Sequence, residues 1–158
     1  LMTKSTVQNN LSRLNAYHTF EELLKLGVVP IVNENDTVSV AEFGIGDNDT
    51  LSAIVATSVH ADLLVLLSDI DGLYTADPHA DPTARLLPVV HRVDDGIRAL
   101  AGVSSTDQGT GGMVTKLHAA QIATEAGIDT VVMNGAQPED IYRLLDGRQT
   151  GTYFKAKA

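Results

Sequence analysis

The chain predicts an α/β fold, a mostly parallel sheet with helices on both faces in a three-layer α/β/α arrangement. Three observations carry this expectation. Two apolar runs of strand length, Val28 to Val32 and Leu63 to Leu67, alternate with segments whose apolar residues recur at helical spacing. Each run is followed at once by polar residues, Asn33 to Asp36 after the first and Ser68 with Asp69 after the second, as at the exits of strands buried under helices. The composition is 44% hydrophobic but only 4% aromatic, which suits parallel strands under helices better than a sandwich or a disulfide scaffold.

In chain order, Leu11, Leu14, Phe20, Leu23, Leu24 and Leu26 recur at helical spacing from about residue 8. Gly27 follows where a left-handed C-terminal cap belongs, and the strand 28–32 comes next. A second helix begins near Asn48 or Asp49, both good capping types, and offers Leu51, Ile54, Val55 and Val59 for burial before Ala61. After the strand 63–67, the turn formers Asp69, Asp71, Gly72, Asp77, Pro78, Asp81 and Pro82 predict a long surface loop. A short helix over 94–100 and a Gly-containing loop over 104–112 precede a helix from about Gly112 to Ala126, with Leu117, Ala120 and Ile122 for burial and Gly127 as its stop. Thr130 to Met133 reads as a further strand. Helix and strand alternate, so right-handed crossovers are expected, and there is no internal repeat or low-complexity tract.

At 158 residues the chain reads as one domain, of a size that buries roughly 68–70% of the surface its unfolded form exposes. Cysteine is absent, which removes disulfides, thiolate metal sites and cysteine nucleophiles. A formal net charge of −9 disfavours nucleic acid as a partner, since affinity for phosphate backbones comes from clustered Lys and Arg. No apolar run approaches the roughly 20 residues that span a bilayer, so no membrane partner and a cytoplasmic location are expected. His18, His60, His79, His91 and His118 lack metal-ligand spacing, and Ser104 and Ser105 lack the context of a nucleophile elbow.

Five carboxylates, Glu34, Asp36, Glu42, Asp47 and Asp49, fall within sixteen residues directly after the first apolar run. Far along the chain, Gly109 to Lys116 joins glycines, whose backbone amides are unobstructed, to a helix whose first turn favours anions. It is not a Walker A loop, because Thr115 rather than Gly precedes Lys116 and no apolar strand adjoins Gly109. Taken singly, these blocks read more readily as solvated loop and cap residues and a plain Gly-rich connection than as a site.

Together, Asn33 to Asp36, Gly46 to Asp49, Ser68 to Pro78 and Gly109 to Lys116 resemble the amino acid kinase family, and most closely its branch that phosphorylates the side-chain carboxylate of glutamate. The resemblance extends from about Leu1 to Phe154. It implies ATP-dependent phosphorylation of L-glutamate to L-glutamyl 5-phosphate, the first step of proline biosynthesis, by a homo-oligomer. Asp36 and Asn48 would contact the substrate, with Asn33 and Asp47 in support. Asp49 would organise lysines that face the phosphates, and Lys116 would stabilise the transferring phosphoryl group. ATP would meet Ser68, Asp69 and the run Thr110, Gly111, Gly112, Met113, Val114, Thr115 and Lys116. The loop with Tyr74, Thr75, Asp77 and Pro78 either walls the adenosine or is a proline-stabilised surface turn. Mg²⁺ would be held through phosphates and water, with no dedicated protein cage.

The chain departs from the family pattern in places. Many relatives have Thr where Ser68 stands, which keeps the hydroxyl. The family's fold opens with a strand and a glycine-rich loop carrying a lysine, so a partial kinase domain over residues 1–158 is expected, without that segment and without the C-terminal RNA-binding-type domain of many bacterial members. Two other readings are a non-catalytic module holding glutamate or a nucleotide and a sibling kinase with another acceptor.

Overall fold

The computed structural model describes residues 1–35, 47–102 and 112–157. Asp36, Thr110, Gly111 and the expected loop 104–111 lie outside the described residues. In chain order the elements are α1 (Lys4–Gln8), α2 (Asn10–Lys25), α3 (Asn48–Ser58), β1 (Leu63–Ser68), β2 (Val89–Val90), α4 (Asp95–Gly102), α5 (Met113–Glu125), β3 (Asp129–Asn134), α6 (Asp140–Leu145) and β4 (Thr152–Phe154).

The strands form one sheet in the order β1-β3-β4-β2. β1 and β3 are parallel, in register from Leu63 opposite Asp129 to Ser68 opposite Asn134. β4 joins β3 antiparallel, and β2 runs parallel to β4. α3 leads into β1 and α5 into β3, and each helix packs on the strand it feeds. A helix returning to the entry end of a parallel strand starts at the exit end, so the first turns of α3 and α5 and the exits of β1 and β3 share one edge of the sheet.

The main core joins Leu64, Leu66 and Val132 to Ala53, Ala56, Leu117, Ala119, Ala120 and Ala123. Alanine dominates where α3 meets α5, because small side chains let two helices approach closely over the sheet. That explains why Ala53 and Ala56 are buried while Ile54, Val55 and Val59, expected inside, are only partly covered. A satellite cluster of Met2, Phe20 and Leu51 attaches α2 to α3. Phe20 is the only residue of α2 that is buried, while Leu11, Leu14 and Leu24 are exposed. α2 and α5 stop as expected. Gly27 and Gly127 take positive φ, and Val28 donates its N–H to the Leu23 carbonyl and Ile128 to that of Ala123, the bonds of a Schellman cap.

The run 28–32 is not a strand. A parallel bridge pairs Met2 with Glu34, through Met2 N–H to the Asn33 carbonyl (2.9 Å) and Asn35 N–H to the Met2 carbonyl (2.7 Å). Apolar residues become a strand only where a ladder partner meets their backbone, and among the described residues Met2 offers one only beyond the end of the run; Ile31 is 96% exposed. The stretch 69–87 is also more than a surface loop. Tyr74 bridges Leu86 antiparallel, and buried Leu73 donates its N–H to Thr152 Oγ1 at 2.8 Å.

Gly151, just before β4, has φ +71°, and a methyl there would overlap the Val132 carbonyl oxygen. Gly147 has a similar φ of +77° with open space around it. Gly147→Ala is therefore expected to cost about 1–2 kcal/mol of backbone strain, and Gly151→Ala that amount plus about 1–3 kcal/mol of overpacking, read by urea denaturation.

Tyr153 donates to Asp129 Oδ2 at 2.5 Å. That hydrogen bond, then burial, push its phenol up to about 12. The folded state favours the neutral phenol, so this contribution is complete below the ordinary value of 10.0 and is lost as pH rises through about 12. Unfolding free energy is expected to fall more steeply across that interval in the native chain than in Tyr153→Phe, measured by denaturant titration at each pH.

Candidate active site

α3 starts at Asp47, whose carboxylate accepts from Thr50 N–H at 2.6 Å and from Thr50 Oγ1 at 2.9 Å. This side-chain cap satisfies donors that a helix start leaves unpaired. Asn48 and Asp49 then occupy the first turn, where successive side chains diverge by about 100°. Asn48 lines a cavity of about 450 Å³ together with Asn33, Ser52 and the apolar Pro30, Val32 and Val55. Asp49 points the other way, to α5.

α5 starts differently. Its N-cap is Gly112, with no side-chain cap bond, and its first turn contains no acid. Lys116 lies one turn in and is 8% exposed. Its Nζ is 3.1 Å from Asp49 Oδ2, and the same oxygen accepts from Thr115 Oγ1 at 2.7 Å. Thr50 Oγ1 also lies 3.4 Å from His118 Nδ1, a second link between the helices. Two helix N-termini and an ammonium thus converge around one carboxylate. Each helix start carries roughly half a positive charge, and with the Lys116 ammonium these offset the carboxylates of Asp47 and Asp49, while the start of α5 has no acid of its own.

The strand exits complete this edge. Ser68 Oγ donates to Asp69 Oδ1 at 3.1 Å, and Gly135 N–H bonds the Ser68 carbonyl at 2.8 Å. Asn134 Nδ2 and Tyr74 OH donate to the two oxygens of Asp71, at 2.8 and 3.1 Å. Burial first, and then that hydrogen bond, hold the Tyr74 phenol above its ordinary value.

The structure therefore brings Asp49, Thr115 and Lys116 into direct contact, and sets Asn33 and Asn48 around one cavity. Asp47 caps α3, and Ser68 and Asp69 lie at the exit of β1 on the same edge. Gly112, Met113 and Val114 form the start of α5. Sequence reasoning did not single out Thr50, His118 or Asn134. The spacing of Asp47 and Thr50 carries a capping signal, but the contact of Thr50 with His118 spans 68 positions and has no local trace. Among the described residues no group of three or more His, Cys, Asp or Glu is arranged to hold a metal ion. A separate groove of about 350 Å³, lined by Arg92, Arg98, Lys155 and Lys157 together with Asp94, Asp95 and Glu125, follows the exits of β2 and β4, which run against β3 and so lie at the opposite edge.

Residues 2–134 match the amino acid kinase family. Glutamate 5-kinase of Carboxydothermus hydrogenoformans is 58% identical over 144 residues, 91% of this chain and 38% of that protein. Glutamate 5-kinase of Synechococcus elongatus is 50% identical over 155 residues, 98% of this chain and 42% of that protein. The chain thus spans less than half the length of these relatives. Among solved structures, an isopentenyl phosphate kinase superposes with a TM-score of 0.61 at 26% identity, covering 87% of this chain and 50% of that one. A carbamate kinase from Giardia lamblia, bound to AMP-PNP, gives 0.66 at 20% identity over 88% and 44%. The latter likeness is one of fold.

Asp47→Ala is expected to cost about 1–2 kcal/mol by removing the cap of α3, whereas Asp47→Asn keeps an acceptor and stays within a few tenths of wild type. Thermal and urea unfolding of the two variants measure the difference.

Proposed function

This chain belongs to the amino acid kinase family, and from that premise we propose that it is the catalytic part of a glutamate 5-kinase. On this reading the enzyme transfers the γ-phosphoryl group of ATP to the side-chain carboxylate of L-glutamate. The observation that carries it is the largely buried Lys116–Asp49 pair joining two helix N-termini, with Asn48, the residue before Asp49, lining a cavity together with Asn33. Identities of 50% and 58% to glutamate 5-kinases support the choice of substrate.

The chemistry asks little of the protein beyond placement and charge. A glutamate side chain, with an ordinary pKa of about 4.3, is already the deprotonated nucleophile at neutral pH, so no general base is needed. One of its oxygens forms a bond to the γ-phosphorus as the bond to the bridging oxygen breaks, and ADP leaves with the electron pair. Asn48 and Asn33 orient the acceptor in the cavity, and Asp36 neutralises its ammonium. The uncapped amides of α5 and the Lys116 ammonium stabilise the charge on the transferring group. Asp49 holds that ammonium in position, and Ser68 and Asp69 contact the nucleotide from the exit of β1. Mg²⁺ would be held through the phosphates of ATP and water. When bound, Mg²⁺ offsets phosphate charge. The product, L-glutamyl 5-phosphate, starts proline biosynthesis, in the cytoplasm and in a homo-oligomeric enzyme. Among the described residues no helix is long and apolar enough to cross a membrane.

The test is ADP release by the full-length gene product with L-glutamate, aspartate, N-acetylglutamate and UMP. Glutamate is expected to be preferred, and chelation of Mg²⁺ to abolish turnover; a preference for another acceptor would overturn the assignment. Lys116→Ala is expected to lower kcat by about a hundredfold or more, with KM for glutamate changed by less than about threefold, because its contact strengthens in the transition state.

A further inference from the structure

The reading above treats the start of α5 as one nucleotide-facing unit, but the side chain of Thr115 is engaged elsewhere. We propose that Thr115 is a positioning residue for Lys116, clamping the Asp49 carboxylate and making no contact with the nucleotide. This inference rests on the proposed kinase activity for its consequences, and on geometry for its substance.

Neighbouring residues of a helix send their side chains about 100° apart, so Thr115 and Lys116 would ordinarily serve different surroundings. Here they converge. Asp49 Oδ2 lies 2.7 Å from Thr115 Oγ1 and 3.1 Å from Lys116 Nζ, so one carboxylate oxygen is held from two directions by consecutive residues. The hydroxyl arm is short and branched at Cβ, whereas the lysine arm is long and flexible. The hydroxyl therefore fixes where the carboxylate sits, and the carboxylate fixes where the ammonium sits.

Hydrogen-bond chemistry argues against a phosphate contact by the same hydroxyl. Thr115 Oγ1 has one proton and, among the described residues, two acceptors in reach, Asp49 Oδ2 and the Gly112 carbonyl at 2.8 Å. The ionised carboxylate is the stronger acceptor and the closer one. With its proton committed, the hydroxyl offers only lone pairs, and phosphate oxygens are acceptors too. The half-buried threonine can support the anion site but has no donor to give it.

The experiment compares Thr115→Val, which keeps shape and removes the hydroxyl, with Thr115→Ser, which restores it, in the full-length protein. Loss of one hydrogen bond to a charged group is expected to lower kcat by about tenfold to a hundredfold in Thr115→Val with KM for ATP within about twofold, and Thr115→Ser to recover most of it. In an Asp49→Asn background, Thr115→Val should have little further effect. A rise in KM for ATP at unchanged kcat would make the hydroxyl a nucleotide contact and overturn the proposal, as would wild-type kinetics. If Thr115→Val does not fold, Thr115→Ala serves in its place.

A crystal structure of the variant reads the same point without substrate. Lys116 Nζ drawn out of hydrogen-bond distance of Asp49 supports the clamp, and an unmoved pair overturns it. Should the wild-type protein fail to phosphorylate glutamate, the functional reading falls while this structural result still decides the role of Thr115.

Discussion

Lys116 is a cation held almost wholly out of water one turn into α5, where the helix field opposes positive charge. Desolvating an ammonium is expensive, and the geometry compensates with Asp49, whose own place in the first turn of α3 is favoured by that helix's field. Ion pairs of this kind contribute little net stability compared with a well-packed apolar pair, so their value lies in what they position. Here the pair ties together two chain segments 67 residues apart. The alanine-rich packing of α3 on α5 brings the helices close enough for it to form.

The sheet explains why these segments meet. Parallel β1 and β3 must exit on one edge, and the helices that feed them must begin there. That edge gathers helix amides, the ammonium of Lys116, Asn48 and the strand-exit residues Ser68 and Asp69. The antiparallel pairing of β4 with β3 sends the groove around Arg92 and Lys155 to the other edge, away from this chemistry. What this edge offers an anion is short-range: the start of α5, with no side-chain cap and no acid in its first turn, and the Lys116 ammonium beside it.

What could be read from the sequence follows from how local each feature is. β1 stood out as an unbroken apolar run, β3 as the short stretch Thr130 to Met133 after a glycine stop, and α2, α3 and α5 through periodicity with caps or glycine stops, so the elements that carry the site were visible. The ion pair itself was foreseeable only through the family resemblance, since no spacing rule links residues 49 and 116. β2, β4 and α6 escaped because two, three and six residues are too short to show a period. The run 28–32 misled because its composition is that of a strand, whereas a strand also needs backbone partners. The buried face of α3 was read from its large residues, although close approach to α5 selects its alanines. Thr115 was legible as a member of a glycine-rich nucleotide segment, but only coordinates reveal its bond to Asp49.

The most direct measurement is a double-mutant cycle on kcat with Asp49→Asn, Lys116→Met and the pair together. If Asp49 acts by holding the ammonium in place, then in Lys116→Met, where turnover is already lost, adding Asp49→Asn should lower kcat little further, so the double variant resembles that single one. Independent losses that multiply in the double variant would mean that the two residues act separately, and would contradict the account.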